Sequence, residues 1–261
     1  MHDAATLDCP EWFERKFATF YGWLLPRLAR RVRAIITVSA FSKERLLARL
    51  GVSESKIHVV PNGLGEEFRP QPVSEYETVL KQLGVENPFF LYVGSLEPRK
   101  NVGCLLKAWS AASLNEWKLV IVGDRRRIFE NVQLRKDLPG VQFTGRLEER
   151  QLTALYSAAQ VFVSPTIYEG FGLPPLEAMA SGCPCLVSEI PAHREVCGEA
   201  PIYVAAASVC DWVDALRCAA AWSPNERKRR RDLGLQVASR FCWKKTANKT
   251  LAILNSYCDG A

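Results

Sequence analysis

Two glutamates seven positions apart bracket a segment rich in glycine and proline that is suited to binding an anion. The segment reads Glu169-Gly-Phe-Gly-Leu-Pro-Pro-Leu-Glu177 and follows the apolar run VFVSP at 161–165. Gly170 and Gly172 allow the backbone to approach a ligand closely. The Pro174-Pro175 pair suits the first turn of a helix, where the missing N–H groups are not needed. The pattern predicts a loop that leads into a helix N-terminus.

The two carboxylates and the free amides of this segment have different predicted partners. The free amides of Phe171, Gly172 and Leu173, just before the predicted helix, would point at an anion, aided by the helix dipole. Glu177 is predicted in that first turn, where it either complements the helix dipole or binds two vicinal hydroxyls of a ribose. Glu169 lies in the loop, where it would contact sugar hydroxyls or a cationic transition state.

A second cluster contains two adjacent cations after another apolar run. It reads Gly94-Ser95-Leu96-Glu97-Pro98-Arg99-Lys100-Asn101. Asn101 is a predicted N-cap, so Arg99 and Lys100 would lie at a helix N-terminus, the unfavourable end for cations. A bound diphosphate explains this placement, because Arg binds oxygens bidentately and Lys supplies a point charge. The alternative is a surface ion pair with Glu97.

Strands and helices alternate along most of the chain, which predicts an α/β fold with a parallel sheet. Strands are predicted at 88–94, 117–123, 141–145, 161–165, 185–188 and 202–204. Helices are predicted at 102–112, 148–158, 174–182, 208–221, 225–239 and 243–257. Ligands bind at the carboxyl ends of strands in such sheets, so both clusters fall where a site is expected.

The first 63 residues predict a smaller unit. Its elements are a helix at 11–30 broken or kinked near Pro26, a strand at 34–38, a helix capped by Ser39 or Ser42 and ended by Gly51, and a strand at 57–60. Two strands with two helices are too few to bury a core. We therefore expect an incomplete unit whose other strands lie before Met1 or on a separate chain. Residues 64–87 are a predicted connection.

Composition and charge narrow the class of protein. The 261 residues are 48% hydrophobic and 24% charged, as in soluble globular proteins. No apolar run reaches the ~18 residues of a membrane span, and no secretory signal is apparent, so a cytoplasmic location is expected. Nine cysteines, an odd number, favour reduced thiols. No zinc-type spacing is present, so no metal is expected.

Much of the net charge of +6 comes from two basic clusters. They comprise Arg27, Arg30, Arg31 and Arg33, and then residues 227–231. They are either solvated helix faces or a surface attracted to an anionic bilayer that carries a lipid-linked acceptor. Nucleic acid is not an expected partner, because no aromatic residues are interleaved with the second cluster.

Several stretches together resemble the family-4 retaining glycosyltransferases. They are PNG (61–63), FLYVGSLEPRKN (90–101), LVIVG (119–123), VQFTGRLEERQLTALYSAA (141–159), VFVSPTIYEGFGLPPLEAMASGCPCLVS (161–188) and FCWKKTANKTL (241–251). Members that build bacterial surface polysaccharides, of the mannosyltransferase type, are the most similar. The resemblance implies a GT-B fold, in which two Rossmann-like domains face a cleft.

In that fold, residues 88–240 would be a complete C-terminal donor domain. Residues 1–63 would be an incomplete acceptor-side domain, and 64–87 would link the two. Residues 241–261 would cross back onto the N-terminal domain.

The resemblance also implies roles for individual residues. Donor-binding residues would be Gly94, Ser95, Arg99, Lys100, Arg146, Leu147, Gly170, Phe171, Gly172, Leu173 and Glu177. Arg146 and Leu147 would lie near the base. Glu169 would contact the transferred sugar, and so would His2, because Met1-His2-Asp3 resembles a strand end that reads hydrophobic-His-Asp. The chain departs from the family at Asp124, which is followed by three arginines in place of a glycine-rich or proline turn.

The implied reaction is retaining transfer of a hexose to an acceptor hydroxyl, without metal or cofactor. The donor would be GDP-mannose or a UDP-sugar, and the acceptor a saccharide or a lipid-linked one at the inner face of the membrane. One alternative is a non-catalytic donor-binding subunit, or an inactive remnant that lacks the acceptor domain. Another is an epimerase of the same fold, which would act on the donor without an acceptor.

Overall fold

The computed structural model describes residues 1–123 and 138–258. Its strands are β1 Ile35–Thr37, β2 Ile57–Val59, β3 Phe89–Val93, β4 Lys118–Val122, β5 Val141–Gly145, β6 Val161–Ser164, β7 Cys185–Ser188 and β8 Ile202–Val204. Its helices are α1 Ala5–Asp8, α2 Arg15–Arg31, α3 Ala40–Leu50, α4 Val73–Leu83, α5 Val102–Ala112, α6 Glu149–Ala158, α7 Leu173–Ala180, α8 Pro191–Cys197, α9 Val209–Ala220, α10 Pro224–Ala238 and α11 Trp243–Cys258.

The larger sheet has the order β5-β4-β3-β6-β7-β8, and every neighbouring pair is parallel. The predicted parallel α/β architecture is confirmed. From β3 the chain proceeds outward on one side of the sheet, and from β6 it proceeds outward on the other. The loops that follow these two central strands therefore diverge and leave a crevice between them.

Both faces of this sheet are covered. Alternate residues of β3 point to opposite faces: Phe90 and Tyr92 belong to one apolar cluster, and Phe89 and Leu91 to the other. Helices α5 and α9 contribute to the first cluster, whereas α4, α6, α7 and α10 contribute to the second. A sheet buried on both faces holds the carboxyl ends of its strands in fixed positions.

The N-terminal part, residues 1–63, is much smaller. Strands β1 and β2 pair in parallel, and a compact cluster of buried side chains covers them: Ala4, Ala29, Ile35, Leu46, Leu50 and Ile57. Residues 1–3 run beside β1, because the Met1 amine donates to the Ile36 carbonyl at 2.8 Å. The Thr37 hydroxyl donates to the His2 carbonyl at 3.2 Å.

Helix α2 differs from its prediction. It begins at Arg15, after a separate 3₁₀ turn at Pro10–Trp12, and continues without a break through Pro26. Pro26 removes one backbone donor, but the remaining bonds keep the helix continuous.

The cap of α3 was correctly predicted at Ser39, whose side chain accepts from the Ser42 amide at 3.0 Å. Helices α1 and α8 were not predicted.

The last helix contacts the N-terminal part at both ends. The Thr246 hydroxyl donates to the Pro61 carbonyl at 2.8 Å, and the Tyr257 hydroxyl lies 3.0 Å from His58 Nε2. Within the ranges described above, no helix combines the length and the apolar character that a membrane crossing requires.

Candidate functional site

The two predicted clusters follow β3 and β6 and meet at the crevice between them. Lys100 Nζ lies 2.7 Å from Glu169 Oε1. The Ile167 amide donates to the Arg99 carbonyl at 2.8 Å, and the Thr166 hydroxyl donates to the same oxygen at 3.0 Å. The structure thus brings Arg99, Lys100 and Glu169 together at the carboxyl edge of the sheet.

The Lys100–Glu169 ion pair is largely withdrawn from solvent. Lys100 is 7% exposed, and the Glu169 side chain is 12% exposed. Glu169 Oε2 is buried, and no described residue donates a hydrogen bond to it. Buried polar atoms are nearly always paired, so this oxygen is a ready acceptor for a hydroxyl of a bound ligand.

Arg99 forms the ion pair that was considered as the alternative to diphosphate binding. Its Nε donates to Glu97 Oε2 at 2.9 Å, and Nη1 lies 3.5 Å from the Tyr168 carbonyl. The guanidinium group has five N–H donors, so the bond to Glu97 leaves others that an anion can use. Arg99 therefore remains a candidate for binding a diphosphate.

Asn101 does not cap α5 with its side chain, which corrects the prediction. Its backbone is left-handed, with φ of 54°, and its side-chain amide donates to the carbonyls of Pro165 at 3.2 Å and Ala206 at 2.7 Å. The side chain is directed at two loop carbonyls instead of at its own helix. Asn101 thereby links the loops that follow β3, β6 and β8.

Glu177 lies in the second turn of α7, not in the first as predicted, because α7 begins one residue earlier than expected, at Leu173. The Tyr156 hydroxyl donates to Glu177 Oε2 at 2.8 Å. Burial raises the pKa of Glu177, the bond from Tyr156 lowers it, and the charge of Glu67 raises it; the net direction is upward. Oε2 is the oxygen bound by Tyr156, whereas Oε1 has no such bond.

The glycines of the loop are required by close contacts. A Cβ on Gly170 would lie 2.7 Å from Asp3 Cβ, and one on Gly172 would lie 3.1 Å from His193 Cδ2. Gly172 also has φ of 101°, which side-chain-bearing residues rarely adopt. Phe171 is buried, and its ring lies 5.7 Å from that of Phe241. The loop therefore holds the start of α7 in one place.

His193 was not predicted to belong to the site. It is fully buried in α8, and its Nδ1 lies 2.9 Å from the Ser188 carbonyl, so Nδ1 carries the proton. Nε2 has no partner among the described residues and would lie 3.5 Å from a Cβ on Gly172. Burial lowers the pKa of His193 and so favours the neutral ring. His193 stands in no motif that sequence analysis recognises, so nothing in the sequence assigned it to the site.

The remaining predicted residues lie around this centre. The Tyr92 hydroxyl donates to the Ser95 carbonyl at 2.9 Å and would lie 2.9 Å from a Cβ on Gly94, so the turn after β3 is tight. His2 is exposed, and its carbonyl, not its ring, lies beside Gly170.

Two further predictions concern the outer part of the sheet. Arg146 is exposed directly after the edge strand β5, and Leu147 packs against the core. Among the described residues, no hydrogen bond or ion pair joins either residue to the Lys100–Glu169 pair. The predicted departure at residues 124–127 falls outside the described residues.

Comparisons with known families match both parts of the chain. The sequence model of the family described as glycosyl transferases group 1 matches residues 87–221, which is more than half of the chain. The one described as Glycosyltransferase Family 4 matches residues 1–68.

Several relatives of the chain are named mannosyltransferases. The chain is 27% identical over 258 residues to O-antigen chain mannosyltransferase B of Escherichia coli, covering 96% of this chain and 68% of the relative. It is 31% identical over 224 residues to O-antigen chain mannosyltransferase RfbU of Salmonella typhimurium, covering 83% and 59%. It is 30% identical over 253 residues to MMP alpha-(1->4)-mannosyltransferase of Mycolicibacterium hassiacum, covering 93% and 59%. The chain thus spans about three fifths to two thirds of these relatives.

Solved structures show the same fold. Anabaena Alr3699/HepE, determined in complex with UDP and glucose, matches with a TM-score of 0.79 at 18% identity, covering 95% of this chain and 69% of that one. A glycosyltransferase from Rickettsia africae matches with a TM-score of 0.77 at 18% identity, covering 95% and 69%. The predicted GT-B fold is confirmed.

Proposed function

Because the chain belongs to the glycosyl transferases group 1, a family of sugar-transferring enzymes, we propose that it transfers a hexose from a nucleotide diphosphate sugar to an acceptor hydroxyl. The observation that carries this proposal is the buried Lys100–Glu169 pair, with Arg99 beside it, in the crevice between β3 and β6. The pair places a cation for the diphosphate next to a carboxylate for the sugar.

The donor would lie across the carboxyl edge of the sheet. Its diphosphate would bind Arg99 and Lys100. It would also bind the backbone amides at the entry to α7, those of Phe171, Gly172 and Leu173, because Pro174 and Pro175 of the first turn have no N–H. The ribose hydroxyls would bind the oxygen of Glu177 that Tyr156 leaves available. The base would lie toward Arg146 and Leu147, after β5.

The chemistry follows from these charges. The bond between the anomeric carbon and the diphosphate oxygen breaks, and negative charge accumulates on the leaving diphosphate. Arg99 and Lys100 stabilise that charge electrostatically. The departing phosphate takes the proton of the acceptor hydroxyl, and the new bond forms on the same face of the sugar, with retention. Glu169 stabilises the cationic sugar and is not assigned as a nucleophile.

Mannose from GDP-mannose is the proposed donor sugar. Support comes from the relatives named above, which are mannosyltransferases of O-antigen and other saccharides. A surface polysaccharide or glycolipid precursor is the corresponding acceptor. The UDP and glucose bound to Anabaena Alr3699/HepE make a UDP-sugar the alternative donor.

A second candidate function is a non-catalytic subunit that binds the donor only. The two candidates differ in one product. A transferase releases the nucleoside diphosphate when donor and a saccharide acceptor are supplied, whereas a binding subunit retains the intact donor.

Titration calorimetry with GDP-mannose and UDP-glucose tests the proposed site. We expect Lys100→Ala and Glu177→Ala each to weaken binding by about 1–3 kcal/mol, because each removes a polar partner of the donor. Glu189→Ala, which removes an exposed carboxylate, is the control. Unchanged affinity in both site variants would refute the assignment.

Peripheral contact with an anionic bilayer is proposed for α2. The helix contains five arginines and lysines and no acidic residue. Phe20 and Trp23 are each 53% exposed on the same helix, and Phe17 and Leu28 are also exposed. Exposed aromatic side chains between cations match a membrane surface, in which the rings enter the interface and the cations meet lipid phosphates.

Vesicle sedimentation tests this contact. We expect binding to vesicles of phosphatidylglycerol and phosphatidylcholine that falls with salt and is lost on phosphatidylcholine alone. Phe20→Ser with Trp23→Ser should weaken it about tenfold or more, whereas Val73→Ser, at an exposed position of α4, should not. Equal binding of all variants would refute the proposal. So would a concentration-dependent dimer that buries Phe20 and Trp23.

A further inference from the structure

Both chain neighbours of Glu169 are bound to the N-terminal part of the molecule. The Ser39 hydroxyl donates to the Gly170 carbonyl at 2.5 Å, and the Ser42 hydroxyl donates to the same oxygen at 3.1 Å. On the other side, the Tyr168 hydroxyl donates to Asp8 Oδ2 at 2.9 Å. Glu169 thus lies between two attachments to residues that are more than 100 positions away in the sequence.

These attachments are themselves held in place. Ser39 and Ser42 are fully buried at the start of α3. The Asp8 side chain is 3% exposed and accepts from Arg45 at 2.8 and 2.9 Å and from Arg49 at 2.6 Å. Burial opposes ionisation of Asp8, but the hydrogen bonds from Arg45, Arg49 and Tyr168 outweigh it and hold its pKa below the usual range. Neither anchor can follow the loop if it moves.

A third contact joins the same two parts from the opposite direction. The carboxylate of Glu195, in α8, accepts from the amides of Ala40 at 2.7 Å and Phe41 at 3.1 Å, at the N-terminus of α3. A carboxylate at that end of a helix is favourable. The start of α3 is therefore held by α8 while its two serines hold the loop.

The Glu169 side chain, in contrast, pairs with Lys100, which lies in a 3₁₀ turn between β3 of the large sheet and α5. The Gly170 carbonyl and the Tyr168 hydroxyl on either side of Glu169 are held by the N-terminal part, whereas the Glu169 carboxylate is held by Lys100. The direction of the unpaired Oε2 then depends on both parts being in contact.

We propose that Ser42, Ser39 and Asp8 are positioning residues that fix the carboxylate of Glu169 toward the donor sugar. The proposal rests on the proposed function, because it assumes that Glu169 contacts the sugar. The N-terminal part then does more than face the acceptor: it completes the sugar subsite on the donor side. If the two parts separated, the nucleotide subsite would stay intact, but the Glu169 carboxylate would no longer be fixed toward the sugar.

The test compares the affinity for a nucleotide with that for its sugar derivative. Ser42→Ala and Tyr168→Phe each remove one hydroxyl; Ser39 is avoided because it also caps α3. Ser188→Ala is the matched control, since its buried hydroxyl donates to the Ser164 carbonyl at 3.3 Å within the large sheet. Calorimetry is run with GDP and GDP-mannose, and with UDP and UDP-glucose, on the full chain.

The expected result is a selective one. In Ser42→Ala and Tyr168→Phe, the ratio of the affinity for the nucleotide sugar to the affinity for the nucleotide should fall about fivefold. The affinity for the nucleotide itself should stay unchanged. Ser188→Ala should behave as the unsubstituted chain. Equal losses for nucleotide and nucleotide sugar, or no loss for either, would overturn the positioning role.

Hydrogen exchange without ligand separates this inference from the proposed function. Backbone amides of residues 168–172 should exchange at least about fivefold faster in Ser42→Ala and Tyr168→Phe than in Ser188→Ala, because a hydrogen bond contributes ~1 kcal/mol. Unchanged exchange there would overturn the inference. If the unsubstituted chain binds none of the four nucleotides, the proposed function fails, and the exchange rates still decide whether these residues hold the loop.

Discussion

The two parts of the molecule divide the candidate site between them in different ways. The six-stranded sheet is covered on both faces, and it carries the charged groups Arg99, Lys100 and Glu177 at its carboxyl edge or on its helices. The two-stranded N-terminal part has a core of six buried side chains and supplies neutral hydroxyls and one held carboxylate, Asp8. In the proposed function, the first part provides affinity for the charged donor, and the second fixes the geometry of the loop that carries Glu169.

This difference predicts different consequences for substitutions in the two parts. Changes to the charged groups of the large sheet should alter both stability and nucleotide affinity, because Lys100 is buried in an ion pair and Glu177 accepts a hydrogen bond from Tyr156. Changes to the hydroxyls of the N-terminal part alter the orientation of one loop.

Breaking the buried ion pair should have the largest effect. Lys100→Met leaves the Glu169 carboxylate buried without its cation, which costs about 3–5 kcal/mol of unfolding free energy. Lys118→Met is the control, because Lys118 pairs with Glu86 at 3.6 Å on an exposed surface and such pairs contribute about 0–1 kcal/mol. Urea unfolding measures both. Equal losses in the two variants would contradict the burial argument.

Glu177→Gln should change stability and binding in opposite directions. Burial disfavours the charged form of Glu177, so a neutral amide that still accepts from Tyr156 should raise the melting temperature of the ligand-free chain at pH 7. The same variant should bind nucleotide sugar more weakly by about 1–3 kcal/mol. Thermal unfolding and calorimetry on one preparation check both. A lower melting temperature with unchanged affinity would show that Glu177 serves the fold.

The pH dependence of stability should report the buried His193. Its pKa is lowered by folding, so below about pH 6.5 the unfolded chain binds a proton that the folded chain does not. Stability is therefore lost as pH falls from about 6.5, by up to ~1.4 kcal/mol per pH unit. His193→Gln should flatten the decline in melting temperature between pH 7 and pH 5, whereas His2→Gln, at an exposed position, should not. If the melting temperatures of both variants depended on pH in the same way, protonation of His193 would not be the cause of the decline.

Most of the charged centre could be predicted from sequence, because it follows directly from strand ends. The runs PFFLYVG and VFVSP are short and apolar, and the polar residues after each of them had to lie at one edge of a parallel sheet. The ion pair between Lys100 and Glu169 was not predicted, although it follows from the pairing of β3 with β6 in the sheet.

The contacts that complete the site could not be predicted in this way. The bonds from Ser39 and Ser42 to Gly170 join segments about 130 residues apart, and no local pattern encodes them. Asn101 reads as a helix cap, but tertiary packing gave its amide two loop carbonyls instead. His193 lies in a helix of seven residues, too short for its periodicity to be recognised.

The central claim is that one crevice holds one nucleotide diphosphate sugar, and a crystal structure with GDP-mannose or UDP-glucose tests it most directly. The account predicts the diphosphate within hydrogen-bond distance of Arg99 and Lys100, the ribose on Glu177 and the hexose on Glu169. A donor bound elsewhere, with the Lys100–Glu169 pair untouched, would contradict it.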